Sequence, residues 1–498
     1  MIAFNKNFLE KTLSSAKILS DVFPEEINFS VDTRKLQEGD IFIALAGKQT
    51  DGHNFVAQAI EQGAAGVFIN KEKVDCISKI DKKILNTKLI VLVDDTLKAL
   101  WILASAWREQ FSYPVIGITG SVGKTSTKEM LANILKLYGM KVCVSYGNQN
   151  SLIGVPLNIL KMQSAHQVAV IEMGINKRGE MATLAGIVKP TIGVITCIGH
   201  SHMEGLGSLS SIAAEKRDIF KYFKDGNIGI VNGDQQPLSH ISYSHPVVKF
   251  GSKIINQVQA RKIKQEGSML SFMLKIYNKK YTVSLNSNHL GMVFNSLASA
   301  AVCSILGIPD DIIINGLSKQ VEVKGRFQIK PLKSGDGYLI DDCYNAGPES
   351  MKSGLLTFES IKTKAQKIAV LSDMLELGTE SAFWHRQIGR FLRKVPSLNH
   401  LILVGESAKF IKKTAPLSLK IDIFASWQEA ALFLEEKISG KDSLIFVKGS
   451  TAGYTTGLVN LVNKFTESDT INSEVNINRK KTLLRQGFVG QVGGESLP

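Results

Sequence analysis

The chain has 498 residues, with 59 basic against 45 acidic and a net charge of +14. Hydrophobic residues are 44% and charged residues 21%, which excludes a wholly disordered or collagen-like chain. At roughly 150 residues per domain, the length points to about three domains. The basic surplus favours anionic partners, but Lys and Arg are scattered, with no block and no interleaved aromatics, which argues against nucleic acid. Five cysteines (Cys76, Cys143, Cys197, Cys303 and Cys343) form no CxxC pair, so a reducing compartment fits better than a disulfide framework or a structural zinc. The N-terminus lacks the sustained apolar core of a secretory signal.

Residues 1–110 alternate short apolar runs with helical patterns. INFSVD (27–32), DIFIALAG (40–47), GVFIN (66–70) and KLIVLVDD (88–95) are predicted strands, and 54–62 and 97–110 predicted helices. The region 111–316 opens on VIGITG (115–120), followed by a helical stripe of Met130, Leu131, Ile134, Leu135 and Tyr138. VAVIEMG (168–174), TIGVITCIG (191–199) and NIGIVNGD (227–234) are further buried-type strands, and MLSFMLKI and YTVSLN predict an antiparallel hairpin. Alternating strands and helices argue for a mainly parallel sheet covered on both faces. The uncharged stretch 290–309 carries Asn295, Ser296, Ser299 and Ser304, and reads as a buried helix rather than a membrane span.

A second doubly wound unit is expected over 317–465, from GYLIDD (337–342), KIAVLSDM (367–374), HLILVG (400–405), KIDIFAS (420–426) and SLIFVKGS (443–450). The tail 466–498 is polar and glycine-rich, and is expected to be disordered.

The strongest chemical signal is Gly120-Ser121-Val122-Gly123-Lys124-Thr125-Ser126, set between an apolar strand and an amphipathic helix. Glycines there let backbone N–H groups approach phosphate oxygens, Lys124 can reach terminal phosphates, and the Thr125 hydroxyl can ligate Mg²⁺. The loop is shorter than the full GxxxxGK[ST] pattern, because the first glycine falls at Gly120 and not at Ile118. Glu172 ends a strand at the carboxyl edge where α/β sites form, although alone it could as well cap a helix or face water.

Several segments together resemble the Mur ligase family, which builds the bacterial cell-wall precursor. TGSVGKTSTKEM (119–130) is similar to its ATP loop, and GNQNSLIGVPLNIL (147–160) to its GNxNNxIGVPLTLL segment. IEMGINKRGEM (171–181), HSHMEGLGSLSSIAAEKRDIF (200–220), DTRKLQEGDIFIALAGKQTDGHNF (32–55), DDCYNAGPESM (341–351), LSDMLELG (371–378) and VKGS (447–450) resemble further family motifs. The resemblance covers roughly residues 30 to 465. It implies a three-domain α/β architecture: a UDP-sugar-binding domain (1–110), a central P-loop ATP domain (111–316) and a C-terminal Rossmann-like domain (317–465).

The resemblance implies ATP-dependent joining of D-alanyl-D-alanine to UDP-N-acetylmuramoyl-tripeptide through an acyl phosphate, by a cytoplasmic monomer without a membrane span. It places ATP on the loop 120–126 with Asn295, Arg326 and Asp342. It places two Mg²⁺ ions on Thr125, Glu172, His202 and Lys216, the lysine carbamylated, with Lys124 and Arg326 also in the catalytic set. Read alone, Lys216 is a surface helix lysine, and His200 competes with His202. The resemblance places substrate near Asp32, Thr33, Arg34, Gly47, Asp51, Gly52, His53, Asn148, Asn150, Ser151, Tyr344 and Asn345. The chain departs from the family pattern at Gly291, Gly347 and Thr451. The rival readings are a single-amino-acid-adding ligase, a folate-polyglutamate ligase, a nucleotide-dependent switch and a decayed scaffold.

Overall fold

The computed structural model describes residues 4–20, 22–24, 27–47, 50–266, 269–287, 289–319, 323–450 and 457–467. Thr451 and the expected tail beyond 467 lie outside the described residues. Thr466, placed at the start of that tail, is instead buried and bridges to Leu332.

Three sheets follow one another along the chain. The first has five strands in the order Lys17–Ile18, Leu89–Val93, Gly66–Asn70, Ile41–Ile43, Phe29–Ser30, all parallel except the first pair. The second has nine strands. Its parallel part runs Val142–Val144, Val168–Glu172, Val115–Thr119, Ile192–Ile195, Ile228–Asn232, Val247–Gly251, Val258–Glu266. The predicted hairpin, Met269–Ile276 with Lys279–Leu285, then extends it antiparallel. The third sheet has six strands in the order Gln328–Pro331, Gly337–Asp342, Ser443–Lys448, Gln366–Ser372, His400–Val404, Lys420–Phe424, with only the first pair antiparallel.

Inner strands such as Val115–Thr119, Val168–Glu172 and Ser443–Lys448 are buried at every position. Their unbroken apolar runs are what a parallel sheet covered on both faces requires. The hairpin strand Met269–Ile276 alternates exposed and buried positions, as a strand with one wet face does.

Five strands escaped the sequence reading. Lys17–Ile18, Val142–Val144 and Gln328–Pro331 are short edge strands, where the apolar signal is weakest. Val258–Glu266 is mostly polar, and even its buried stretch, Val258 to Ala260, includes Gln259; Val247–Gly251 is only half buried. The helix expected over 54–62 starts instead as a 3-10 turn, Gly52–Phe55, and becomes α-helical only at Val56–Glu61. Asp51 is the reason: its side chain accepts from the His53 N–H and tightens the first turn.

Two helices position the site. Lys124–Leu137 leaves the end of Val115–Thr119 directly, with Gly123 at φ 89° as its N-cap. Gly291–Ile305 packs along it, and the Ser299 hydroxyl donates to Thr127 O at 3.5 Å. No described helix is long and apolar enough to cross a membrane. The first sheet is tied to the second by the helix Thr96–Arg108. Its Trp107 Nε1 donates to Met162 O at 3.0 Å, and its Arg108 Nε to Val188 O at 2.9 Å.

Candidate active site

A cavity of about 370 Å³ opens at the carboxyl edge of the central sheet. Ser121, Val122 and Lys124 line it from the phosphate loop, and Asn150, Ser151 and Glu172 from neighbouring strand ends. His202 enters from the loop after Ile192–Ile195, and Arg326, Tyr344, Asn345 and Gly347 from the third-sheet side.

The loop is fastened to the sheet from below. The Ser121 N–H donates to Cys197 O at 2.9 Å, and its hydroxyl bridges Gly199 O at 3.0 Å and the Gly199 N–H at 2.9 Å. Gly120 lies at φ 149°, and a Cβ there would collide with Thr196 Oγ1. A Cβ on Gly123 would come within 2.5 Å of Asn295 Oδ1, so the glycine lets Asn295 sit against the loop. Asn295 is buried, as its apolar helix required, and its amide reaches Met292 Sδ at 3.6 Å. Lys124 folds back to donate to Gly120 O at 2.7 Å, and burial lowers its pKa.

Several polar atoms around this loop are buried without a hydrogen-bond partner: Thr125 Oγ1, Glu172 Oε2 and Arg326 Nε. Such atoms are costly unless a ligand satisfies them. Glu172 is only 1% exposed, so it does not face water, and neither of its oxygens accepts from a helix N–H. Its Oε1 accepts from Asn150 Nδ2 at 2.7 Å, and its N–H donates to Ser145 Oγ at 3.0 Å. Arg326 lies over the Tyr344 ring, 4.1 Å from guanidinium carbon to ring centre. Tyr344 in turn approaches Asn148 and Thr125.

Among the described residues no three or more His, Cys, Asp or Glu side chains gather as a protein-only metal cage. The Thr125 hydroxyl and Glu172 carboxylate are instead hard oxygen donors beside a phosphate loop, a set that suits Mg²⁺ shared with substrate phosphates. His202 stands at φ 65°, with Nδ1 2.6 Å from Glu376 Oε2. Hydrogen bonding to His202 is the leading cause that holds the Glu376 carboxyl below its usual pKa.

Lys216 is not the surface lysine its Lys-Arg-Asp context suggested. It is 1% exposed, and burial, aided by the Lys124 charge, pulls its pKa down to about 7. Glu215 beside it explains how the helix Leu209–Arg217 is held. Its two oxygens accept from the Gly179 and Met181 N–H groups at 2.9 Å each, capping the earlier helix Glu180–Val188.

Other expected residues serve the frame. Asp342 pairs with the buried Lys448 at 2.7 Å, and Lys448 also donates to Asn345 O at 3.0 Å, so this pair shapes the turn that presents Tyr344 and Asn345. Asp32 and Arg34 pair at 2.8 Å, and Thr33 donates to Gln58 Oε1 at 3.5 Å. Gly47 donates to Thr50 O and Gly52 to Leu45 O. Asp51 contacts His53 Nδ1 at 2.6 Å and also binds Lys73, while His53 Nε2 accepts from the Asn70 N–H at 2.9 Å. None of these N-terminal residues lines the cavity. Ser126, in the helix's first turn, does not line it either.

The Gly291 departure has a local answer. The His289 ring lies beside it, 2.7 Å from where a Cβ at 291 would stand, and His289 Nδ1 accepts from the Gly291 N–H at 3.1 Å. At Gly347 a Cβ would meet only Ser201 Oγ, at 3.4 Å. Glu349, Glu376 and Lys448 were missed in the sequence, because their roles depend on contacts between distant segments.

Models of the "Mur ligase family, catalytic domain", the "Mur ligase middle domain" and the "Mur ligase, glutamate ligase domain" match residues 28–108, 118–303 and 325–451. A UDP-N-acetylmuramoyl-tripeptide–D-alanyl-D-alanine ligase of Bacillus subtilis is 33% identical over 427 residues, covering 84% of this chain and 90% of its own. A crystal structure of MurF from Acinetobacter baumannii superposes with a TM-score of 0.79 at 28% identity, covering 92% of this chain and 98% of that one. MurF ligase from Thermotoga maritima in complex with ADP superposes at 0.73 with 28% identity, covering 85% and 94%. With its three α/β units in the same order and its phosphate loop in the middle one, the chain belongs to the Mur ligase family of ATP-dependent ligases.

Proposed function

We propose that this chain joins D-alanyl-D-alanine to the terminal carboxylate of UDP-N-acetylmuramoyl-tripeptide at the expense of ATP, giving the pentapeptide precursor of peptidoglycan. The observation that carries the reading is the ring of buried, unpartnered polar atoms (Thr125 Oγ1, Glu172 Oε2 and Arg326 Nε) beside a phosphate loop. The relatives' names supply the substrates.

A carboxylate is a poor electrophile, and phosphorylation by ATP turns it into an acyl phosphate that an amine can attack. The protein's task is then alignment and charge neutralisation. The loop 120–126 cradles the phosphates, with its N–H groups and the helix N-terminus aimed at them. Lys124 exchanges its bond to Gly120 O for a phosphate oxygen. Arg326, backed by Tyr344, offers its guanidinium from the opposite wall. Asn295, seated against Gly123, is placed to meet the adenine. Thr125 and Glu172, with His202 nearby, would hold Mg²⁺, which when bound would supply neutralisation of the phosphate charge. Asn150 keeps Glu172 aimed.

Lys216, its pKa lowered to about 7, is partly free amine at neutral pH, the state that adds CO₂: the amine nitrogen bonds the carbon and releases a proton, leaving a carbamate anion. That anion would serve the second Mg²⁺. Asn148, Ser151, Tyr344 and Asn345 border the acceptor peptide. Asp32, Thr33 and Arg34 face the UDP-sugar, with Gly47, Asp51, Gly52 and His53 shaping that loop. In this reading residues 1–110 hold the UDP-sugar, 111–316 the ATP and 317–465 close the site. ATP and a UDP-linked substrate support a cytoplasmic setting for the reaction.

The test is product formation. Purified protein with Mg²⁺-ATP, UDP-muramoyl-tripeptide and D-alanyl-D-alanine is expected to give the UDP-muramoyl-pentapeptide by mass spectrometry. Omitting either acceptor or dipeptide is expected to abolish it. ATP hydrolysis indifferent to both substrates would favour a nucleotide switch.

A further inference from the structure

The third-sheet unit supplies Tyr344, Asn345 and Gly347 to the cavity wall, so something must hold it over the phosphate loop. The contact centres on the short loop after Ile192–Ile195. His200 N–H lies 3.2 and 3.3 Å from the two carboxylate oxygens of Glu349, and His200 Nδ1 is 2.5 Å from Glu349 Oε1. The His200 ring also packs on Trp384, 4.0 Å between centres, and Lys352 lies 5.5 Å from the same indole. Trp384 is itself fixed, its Nε1 donating to Glu380 Oε2 at 3.0 Å.

The approach is close enough to need a glycine. A Cβ on Gly199 would lie 2.8 Å from the Glu349 carboxyl carbon. Burial alone would raise the Glu349 pKa, yet His200 foremost, together with its own backbone N–H, holds it below the usual range. Nothing in the proposed chemistry uses His200, which is not on the cavity wall, or Glu349 and Trp384. Two residues on, His202 faces Glu376, and the Glu204 N–H donates to Glu376 O at 3.0 Å. One loop of the central unit thus meets two separate segments of the third.

We infer that His200 is a docking post, seated in a socket made by Glu349 and Trp384, that holds the C-terminal unit over the nucleotide site and so positions Tyr344 and Asn345 for ligation. His200, Glu349 and Trp384 are positioning residues in this account. They touch neither nucleotide nor reacting atoms. The inference rests on the ligase reading for its kinetic consequence, but the docking has its own readout.

The experiment uses the full chain and the variants His200→Ala, Glu349→Ala, their double, and His200→Asn, which keeps an N–H donor near the Nδ1 position. Thermal unfolding and ADP binding by calorimetry establish that each variant is folded with a working phosphate loop. His200→Ala and Glu349→Ala are each expected to lower kcat about tenfold, with ADP affinity within about twofold of wild type. The double variant is expected to lose no more than the worse single, as partners in one contact do. His200→Asn is expected to recover most of the rate. Small-angle scattering is expected to show a larger radius of gyration for the two alanine variants. Unchanged kcat, additive losses, an unchanged radius, or ADP affinity falling in step with kcat would each overturn the docking role. A wild type that makes no pentapeptide would defeat the ligase reading instead, and the scattering result would still decide the docking.

Discussion

Two glycine-bearing loops, 120–126 and 47–53, are both expected to meet ligands, the first from its own residues and the second from the family resemblance, but they are built in opposite ways. In the first, the backbone is locked and the chemistry is left open. Ser121 ties the loop to Cys197 and Gly199, yet Thr125 Oγ1 and nearby Glu172 Oε2 have no partner. In the second, the polar groups of Asp51 and His53 are answered by described neighbours. Asp51 takes His53 and Lys73, His53 takes the Asn70 N–H, and Gly47 and Gly52 close backbone bonds. Buried polar atoms left unpaired mark where a ligand completes the structure, while a closed network marks architecture.

Substitutions can break that contrast. Lys124→Met removes a positive charge that would meet phosphate and Glu172→Gln the carboxylate that would hold Mg²⁺, and each is expected to lower kcat by about 10²–10³-fold with little change in unfolding temperature. Steady-state kinetics beside thermal unfolding checks this; a loss of stability to match would make the first loop architectural too. His53→Ala should do the reverse. It strands the Asn70 N–H and takes the imidazole from Asp51, which keeps Lys73, costing about 1–3 kcal/mol of stability, while ADP affinity stays at the wild-type value. Denaturant unfolding and calorimetry on one preparation separate the two effects.

The three-sheet plan was legible because inner parallel strands announce themselves as apolar runs, as at Leu89–Val93 and Ser443–Lys448. Edge strands such as Val142–Val144 carry too few residues to do so, and Val258–Glu266 hides its strand under a polar sequence. The phosphate loop was legible because its residues are contiguous. Lys216 illustrates the limit: its helix looks solvated in sequence, and only the packing around it shows a buried amine. The His200–Glu349 contact joins residues 149 positions apart, and no local pattern signals it.

Lys216 sharpens the contrast further through pH. Its ordinary pKa of 10.5 falls to about 7 in the folded chain, so between those values the unfolded chain holds a proton that the folded chain has lost. Stability therefore rises with pH across that window, and the gain should be smaller in Lys216→Met. Below about pH 7 the amine is protonated and cannot add CO₂. Activity there is expected to become more dependent on added bicarbonate, by a few-fold, and rates with and without bicarbonate at pH 6 and 8 check it.

The smallest effect is expected at Arg34, whose side chain is 85% exposed in its pair with Asp32. Arg34→Ala should leave the unfolding midpoint close to that of the wild type, because an exposed pair is screened by solvent. Any loss should appear in KM for the UDP-linked substrate and not in ADP binding.

The most direct test of the central claim is phosphate release with Mg²⁺-ATP when the muramoyl-tripeptide and D-alanyl-D-alanine are supplied separately and together, with the product weighed by mass spectrometry. The account predicts release and the UDP-muramoyl-pentapeptide only when both are present. ADP bound normally, with no stimulation and no pentapeptide, would contradict it.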